Sequence, residues 1–414
     1  MKILVYSHDW APTIGGIQTA MMALARELAA PHDIPGSERV EVTLVTATPV
    51  GAMDDGALPF AVARETGFFE LVRLIRENDV IHLAGPAIVP LVLAWTLRKK
   101  VVVQHHGYQA ICPDGSLVYS ADQSICSRPF PDGSALRCLR CHAANAGFVR
   151  SAMDVALAYP RLWLCRRAAA NVAVSDYVNL RLGLSSTRTI YNGIQSSIEA
   201  RPGSAKSVAS KAGFAYVGRL VAEKGVAVLL RAAARLAEEG CAVRVMLIGD
   251  GPEYSSLAGL AAKLGISDRV MFTGYLEGVA LADALGDVVA IVMPSICEET
   301  AGLAAIEQMM RGRLVIASQI GGLSEVVGDT GLQFPSGDHN ALAACMRRAV
   351  DEPTLSRRLG VKARERALKL FTDQRMVAQH LLIYSQLLST RMTAGRPARS
   401  IKTELASHRQ RQAS

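Results

Sequence analysis

Short apolar runs alternate with helical stretches along nearly the whole chain, and the alternation breaks off once and restarts. That rhythm limits the possible folds more than any other feature. The runs Lys2–Tyr6, Val40–Thr46, Val80–Leu83, Val101–Gln104, Val172–Val174 and Thr189–Tyr191 have the length and β-branched content of strands. Helical spacing lies between them, as in Thr19–Ala30, where Met21, Met22, Leu24, Ala25 and Leu28 share a face. Strands alternating with helices predict βαβ units and a parallel sheet. Residues 196–211, SSIEARPGSAKSVASK, are polar and read as an interdomain linker. Beyond them the strands Phe214–Val217, Val243–Ile248, Val270–Thr273, Val288–Met293 and Leu314–Ala317 resume the pattern. The helices Gly225–Glu239, Glu253–Leu264 and Leu303–Arg311 lie among them, and Asp338–Asp351 and Thr354–Leu370 close the second unit. The expected fold is α/β: two Rossmann-like, doubly wound domains, 1–195 and 212–371, with a cleft between them. A last amphipathic helix, 372–390, can cross back to the first domain, ahead of a basic tail, 391–414.

At about 100–200 residues per domain, 414 residues suit this division. A chain that is 50% hydrophobic and 20% charged is neither disordered nor collagen-like, and 8 cysteines are too few for a disulfide scaffold. The longest apolar stretch, Ala84–Leu97, falls short of the roughly 20 residues of a spanning helix. The start, MKILVYSHDW, lacks the apolar core of a signal peptide. A soluble, cytoplasmic protein is expected. The net charge of +8 is uneven: Arg128–Arg167 holds seven Arg against two Asp, and Ser389–Ser414 holds five Arg and one Lys against one Glu. Basic patches suit acidic partners such as nucleotides, phosphorylated lipids, membrane surfaces or nucleic acid.

In open parallel sheets ligands bind beyond the carboxyl ends of the strands, so polar residues placed there are the candidates. Gly15-Gly16 follows the first strand and opens a helix, where a phosphate can approach backbone amides, although a tight turn explains the pair as well. Neither GxGxxG nor GxxxxGK[ST] occurs, which argues against a dinucleotide site and a P-loop. His105-His106-Gly107 ends the strand Val101–Gln104 and offers imidazole to the cleft. Arg219 and Lys224 follow the strand Phe214–Val217. Lys224 stands where a helix begins, against the helix dipole, which suits a phosphate ligand better than a cap. Two cations on a diphosphate would stabilise it as a leaving group. Gly249-Asp250-Gly251-Pro252 reads as structural turn chemistry. Glu299 and Glu307 flank the start of a helix at Gly302, eight residues apart and so at neighbouring azimuths. Carboxylates accept from paired hydroxyls, and the amides of Ala301, Gly302 and Leu303 suit a phosphate. Glu298 reads as a surface residue, and Gly321-Gly322 with Glu325 as a second glycine loop near the cleft.

The succession VGRLVAEKG, LIGDGP, FTGYL and PSICEETAGLAAIEQMMRGRLVIASQIGGLSEVV resembles the retaining nucleotide-sugar glycosyltransferases of family 4, in order and spacing, over most of residues 1–388. Gly15-Gly16, QHHG and Tyr191-Asn192-Gly193-Ile194 fit the same pattern. The resemblance implies the GT-B fold. It implies that Arg219 and Lys224 hold the donor diphosphate, Glu307 the ribose hydroxyls and Glu299 a donor-sugar hydroxyl. Gly302 and Leu303 would support sugar and phosphate through their amides, Gly16 would approach the diphosphate from the acceptor side, and His106 would be the catalytic-site histidine. It implies front-face attack with the leaving phosphate assisting deprotonation, with no enzyme nucleophile and no cofactor required for transfer. Gln308, Met309 and Met310 depart from the family's small residues, and Arg313 stands where proline is frequent. The expected activity is a hexosyl transfer from a nucleotide-sugar donor to a carbohydrate, lipid-linked or small-molecule acceptor, in glycan, polysaccharide or glycolipid biosynthesis. The alternatives are a GT-B epimerase or phosphorylase, whose further acid/base or pyridoxal-phosphate residues are not evident, and a non-catalytic nucleotide-sugar-binding protein. The Arg128–Arg167 patch then suggests a phosphorylated or membrane-held acceptor and peripheral association with the inner membrane surface. Nucleic acid is not an expected partner.

Cys112, Cys126, Cys138 and Cys141 lie in an insertion at 108–145, the last two as CxxC before His142. Such a set can close a tetrahedral zinc site; the alternatives are reduced thiols in an acceptor-side flap, or redox chemistry. Cys165, Cys241, Cys297 and Cys345 read as core residues.

Overall fold

The computed structural model describes residues 1–12, 15–31, 40–51, 53–120, 124–127, 129–196, 198, 212–241 and 243–393. Most of the expected linker (197 and 199–211), residues 394–414 of the basic tail, and Arg128 lie outside the described residues. The chain begins with β1 (Lys2–Tyr6), α1 (Gly16–Ala29), β2 (Glu41–Thr46), β3 (Ala61–Arg64), α2 (Phe68–Glu77), β4 (Val80–Leu83), α3 (Ile88–Thr96) and β5 (Lys100–His105). An insertion adds β6 (Val118–Tyr119), β7 (Ser124–Ile125) and α4 (Ala135–Ala146); α5 (Phe148–Arg167), β8 (Ala170–Ala173), α6 (Asp176–Leu182) and β9 (Thr187–Thr189) follow. Seven strands form a parallel sheet in the order β3-β2-β1-β4-β5-β8-β9, while β6 and β7 make a separate antiparallel hairpin.

The second half runs β10 (Ala212–Val217), α7 (Val226–Glu238), β11 (Val243–Ile248), α8 (Tyr254–Lys263), β12 (Val270–Gly274), α9 (Gly278–Ala284), β13 (Val288–Met293), α10 (Leu303–Met310), β14 (Leu314–Ser318), α11 (Gly321–Val327), β15 (Leu332–Phe334), α12 (His339–Asp351), α13 (Pro353–Leu370) and α14 (Asp373–Thr393). Its six strands are parallel in the order β12-β11-β10-β13-β14-β15. The central strands are apolar on both faces because helices cover both. Phe214 and Tyr216 of β10 pack into one layer and Ala215 into the other; Ile3 and Val5 oppose Leu4 in the same way. In each sheet the strand order reverses beside its first strand, between β1 and β4 and between β10 and β13. Those two switch points open the crevices in which such sheets bind ligands.

Helix α14 returns to the first sheet, where Met376, Val377, Ile383 and Tyr384 join the layer of Ile3 and Val5. The two chain crossings lie side by side: Ile194 N donates to Phe371 O at 2.8 Å and Asp373 N to Ile194 O at 3.2 Å. A Cβ on Gly193 would come within 2.4 Å of Asp373 Cα, so glycine lets the crossings touch.

The strand expected at Thr189–Tyr191 lies two residues earlier, at Thr187–Thr189. Strands β3, β6, β7 and β15 and helices α2, α4, α5, α6 and α9 are additional to the expected outline, and Gly321-Gly322, read as a glycine loop, opens helix α11. The strands span two to four residues, too short for a pattern. Helix α5 carries Pro160 inside it and a run of arginines, which obscure a buried face of Val155, Ala158, Leu162 and Cys165. Among the described residues no helix is long and apolar enough to cross a membrane.

Candidate active site

The crevice beside β10 is built on glycine contacts. Beyond Val217 the chain turns through Gly218, Arg219 and Leu220, fixed by Tyr216 Oη donating to Arg219 O (2.7 Å) and Leu220 N to Asp250 O (2.8 Å). The Gly249–Pro252 turn packs directly against it, so the structural reading of that segment fits. Arg219 is exposed and has no ion pair among the described residues. Lys224 ends a single 3-10 turn, Ala222–Lys224, and Gly225 follows in the left-handed region (φ +63°) against Pro294 O, leaving no space for a Cβ.

Lys224 Nζ donates to Glu299 Oε1 at 2.9 Å, and Ser295 Oγ donates to the same oxygen. Glu299 is only 8% exposed. Burial alone would raise its pKa, but the Lys224 charge, hydrogen bonds from Ser295 and Lys224, and the Arg219 charge outweigh burial and hold the carboxyl below its ordinary range. Burial pulls Lys224 down and Glu299 more than compensates, so its pKa is raised. Arg219, Lys224 and Glu299 therefore form one electrostatic cluster, a pairing not assigned from the sequence.

Glu307 lies one turn into α10 and has no hydrogen-bond partner among the described residues. Burial raises its pKa, with Arg311 opposing. Tyr275 is electrostatically coupled to it, and Tyr275 Oη donates to Glu277 Oε2 at 2.8 Å. This exposed tyrosine stands inside the FTGYL segment but had no assigned role.

Helices α1 and α10 both start without a side-chain cap, at Gly15 and at Gly302 (φ +63°). A Cβ on Gly16 would sit 3.3 Å from Leu303 Cδ1, so the two helix starts meet across the cleft. Uncapped amides and two converging dipoles favour an anion there.

The structure separates the paired histidines. His105 faces the core: its Nε2 lies 2.9 Å from Asn171 Oδ1, and burial lowers its pKa to about 4. His106 is partly buried, with no partner for Nε2, and burial, then His105 and His380, lower its pKa to about 3. It is a neutral imidazole across the physiological range. Beneath it His82 Nε2 pairs with Gln104 Oε1 at 3.0 Å, and Tyr384 Oη lies 2.8 Å from His82 Nδ1, linking the returning helix to this strand.

Two carboxylates fasten the domains together. Glu298, expected at the surface, is buried: its Oε1 accepts from Tyr177 Oη at 2.5 Å and its Oε2 from Arg181 Nε at 3.0 Å. The sequence hid this because both partners come from the other domain. Glu325 accepts from Asp176 N (2.9 Å), Tyr177 N (2.8 Å) and Tyr191 Oη (2.6 Å), closing the start of α6 from across the cleft. Gly322 N donates to Glu299 O at 2.6 Å, and Ser175 Oγ to Thr300 O at 2.6 Å, so the start of α11 and Ser175 of the other domain together seat the Glu298–Thr300 segment. Neighbouring Glu298 and Glu299 thus serve the domain contact and the crevice respectively.

Cys112, Cys126, Cys138 and Cys141 line one cavity with Asp114 and His142. Among the described residues, no group of three or more His, Cys, Asp or Glu is already arranged to hold an ion. Of the cysteines read as core residues, Cys165 is buried, whereas Cys241, Cys297 and Cys345 are only half-buried. Cys297 lies beside the Lys224–Glu299 pair, and burial, then Glu299, push its thiol up to about 11.

Residues 199–366 match the family model described as Glycosyl transferases group 1. The chain is 33% identical over 147 residues to N-acetyl-alpha-D-glucosaminyl L-malate synthase of Bacillus anthracis, a match spanning 35% of this chain and 38% of that protein. It is 29% identical over 251 residues to a glycogen synthase of Mycobacterium tuberculosis, spanning 58% of this chain and 59% of that one. The matched segments thus cover between about two fifths and three fifths of these relatives' lengths. Among solved structures, Anabaena Alr3699/HepE in complex with UDP superposes with a TM-score of 0.69 at 19% identity, over 93% of this chain and 100% of that one. The chain has the GT-B fold, and its C-terminal domain is similar to the group 1 glycosyl transferases.

Proposed function

We propose that this protein is a retaining glycosyltransferase that moves a sugar from a nucleotide-sugar donor to an acceptor hydroxyl. The observation that carries this reading is the Lys224–Glu299 pair, set beside an exposed Arg219 and the uncapped start of α10. A donor diphosphate placed there meets Arg219, Lys224 and the amides at Gly302 and Leu303, with Gly16 and the start of α1 opposite. These groups stabilise negative charge as the sugar–phosphate bond breaks. Glu299 is held ionised and can accept from a sugar hydroxyl. Glu307, half-buried and without a hydrogen-bond partner among the described residues, suits the two ribose hydroxyls, with Tyr275 beside it for the rest of the nucleoside. His106 stays neutral and can donate to or accept from the sugar. The acceptor oxygen attacks the anomeric carbon on the face the phosphate leaves. Its proton passes to the departing phosphate oxygen, so no protein nucleophile is required.

A thermal-shift panel of UDP-, GDP-, ADP- and dTDP-sugars tests the donor site, because a ligand that binds only the folded state raises its melting temperature. At least one class is expected to stabilise the protein. Glu307→Gln is expected to weaken that donor about ten- to a hundredfold, the worth of a charged hydrogen bond. Wild-type affinity in that variant would remove Glu307 from the site.

The acceptor side favours a lipid-linked acceptor at an anionic membrane. At the start of α5, Phe148 (67% exposed) and Val149 (83%) project beside Arg150, with Arg140, Arg166 and Arg167 also exposed. Exposed aromatic and aliphatic side chains among arginines suit an acidic headgroup layer. The protein is expected to sediment with phosphatidylserine-containing vesicles but not with phosphatidylcholine alone. Phe148→Ser with Arg150→Gln should weaken binding about tenfold. Equal binding to both vesicle types would end the membrane reading.

A further inference from the structure

Tyr108, Ala110, Ile111, Leu117 and Phe130 anchor the inner part of the insertion between β5 and α5 in the domain core, but its outer part has little apolar interior. No described residue of α4 is buried, and each strand of the β6–β7 hairpin has two residues. Segments this poor in core commonly rely on a cross-link or a metal. Yet four sulfurs from separate stretches come to one place. Cys112 arrives from the turn after β5, Cys126 from just beyond β7, and Cys138 and Cys141 from one face of α4, three residues apart. They line a cavity of about 30 Å3, room for one or two waters or a single ion rather than an iron–sulfur cluster.

Burial raises the pKa of Cys112 and, with the neighbouring cysteines, pushes the Cys138 thiol up to about 11; nearby donors and charge oppose this only in part. Backbone N–H groups of Asp114, Gly115 and Leu117 are directed at the Cys112 sulfur. Donors round a sulfur stabilise its anion and orient it as a ligand. Arg137 forms part of the wall, its guanidinium 5.0 Å from the centre of the Tyr119 ring, and supplies positive charge next to Cys138. His142 lies between Asp154, at 3.0 Å from Nε2, and Asp114, at 3.6 Å from Nδ1, and so ties the cavity wall to α5. No disulfide joins these cysteines.

We propose that Cys112, Cys126, Cys138 and Cys141 bind one zinc ion as a structural tetrathiolate site that clamps the insertion onto the acceptor-side domain. Zinc displaces the four thiol protons to solvent, and the filled site carries a net charge of −2, which Arg137 in the cavity wall offsets in part. Zn–S bonds of about 2.3 Å require the side chains to turn inward from the cavity walls, because no ready-made coordination set exists among the described residues. The site stands outside the crevice of Arg219, Lys224 and Glu299, and its occupancy is independent of the proposed transfer.

The test uses full-length protein purified without metal-chelating resin and dialysed into metal-free buffer. Plasma mass spectrometry is expected to find about one zinc per chain, as for a closed structural site. Cys138→Ser and Cys141→Ser should lose it, and Cys345→Ser, on α12, should keep it. Chelation should lower the melting temperature of the wild type and not of Cys138→Ser. If the serine variants fail to fold, cobalt(II) added to chelated wild-type protein decides. Sulfur-to-metal charge-transfer bands with the strong visible absorption of tetrahedral cobalt support the site. Protein free of metal and silent to cobalt(II), an intact mass showing two disulfides, or bound iron in place of zinc would overturn the proposal.

Discussion

Lys224→Ala is expected to abolish transfer, by about a hundredfold or more, and to destabilise the protein even without ligand. The first effect follows from the loss of a cation that meets the leaving diphosphate, where single preorganised groups are commonly worth about 100- to 1,000-fold. The second follows from Glu299. Its carboxyl is buried and held by Lys224 at 2.9 Å, so removing the lysine leaves a carboxylate with Ser295 and the more distant Arg219 charge. Stranding one member of a buried pair costs about 3 kcal/mol or more. Glu299→Gln in the same chain should recover much of the stability and none of the transfer. The pH dependence separates the two members. Glu299 lies below its ordinary value of 4.5, so its contribution is present above that pH and is lost as pH falls through the folded-state pKa. Lys224 lies above 10.5, so its contribution is present below that pH and is lost as pH rises through its folded-state value. Across neutral pH the pair contributes a constant amount. A Lys224→Ala protein that turns over at a tenth of the wild-type rate or better, with unchanged donor affinity, would contradict the proposed role.

Gly249→Ala should be the most damaging change outside the charged cluster. Gly249 adopts φ +133°, and a Cβ there would lie 1.9 Å from Gly218 O, a backbone atom with nowhere to go. The strained conformation costs about 1–3 kcal/mol and the overlap about as much again. The damage is directional, because Gly218 immediately precedes Arg219. Pushing the two turns apart moves the arginine that faces the proposed diphosphate. A fall of several degrees in melting temperature is expected, together with weakened donor affinity. Gly259→Ala, at a glycine inside α8 with open space around it, should leave donor affinity unchanged and raise the melting temperature slightly, because alanine favours the helix. Near-wild-type stability in Gly249→Ala would mean that the turns are not held as described.

The fold was legible because its determinants are local. Most long strands are largely apolar runs, and helices such as α1, α7 and α12 show their spacing without reference to partners, whereas α5 does not. What was not legible depends on the other domain. Glu298 looks like any surface glutamate until Tyr177 and Arg181 are brought to it, 121 and 117 residues away in sequence. The choice between His105 and His106 rests on a one-residue alternation of strand faces, which HHG cannot reveal. Tyr275 carries no signal for Glu307, because they meet only when β12 and α10 are placed. The misplacement of a cation at the start of a helix was visible in the sequence, but not that Glu299, 75 residues away, is the group that meets Lys224.

The paired crossings at Ile194 and at Phe371–Asp373 set the mechanics of the molecule. Two segments bonded side by side resist torsion and sideways sliding far more than a single tether would, yet they still bend. Any motion of the domains that breaks the contacts of Glu298 and Glu325 would be narrowed towards one swing about that seam. A swing of this kind returns the same two surfaces to the same alignment after every opening. The lashing would thus act as a bearing, and groups held on opposite halves would keep their relative orientation through any such swing.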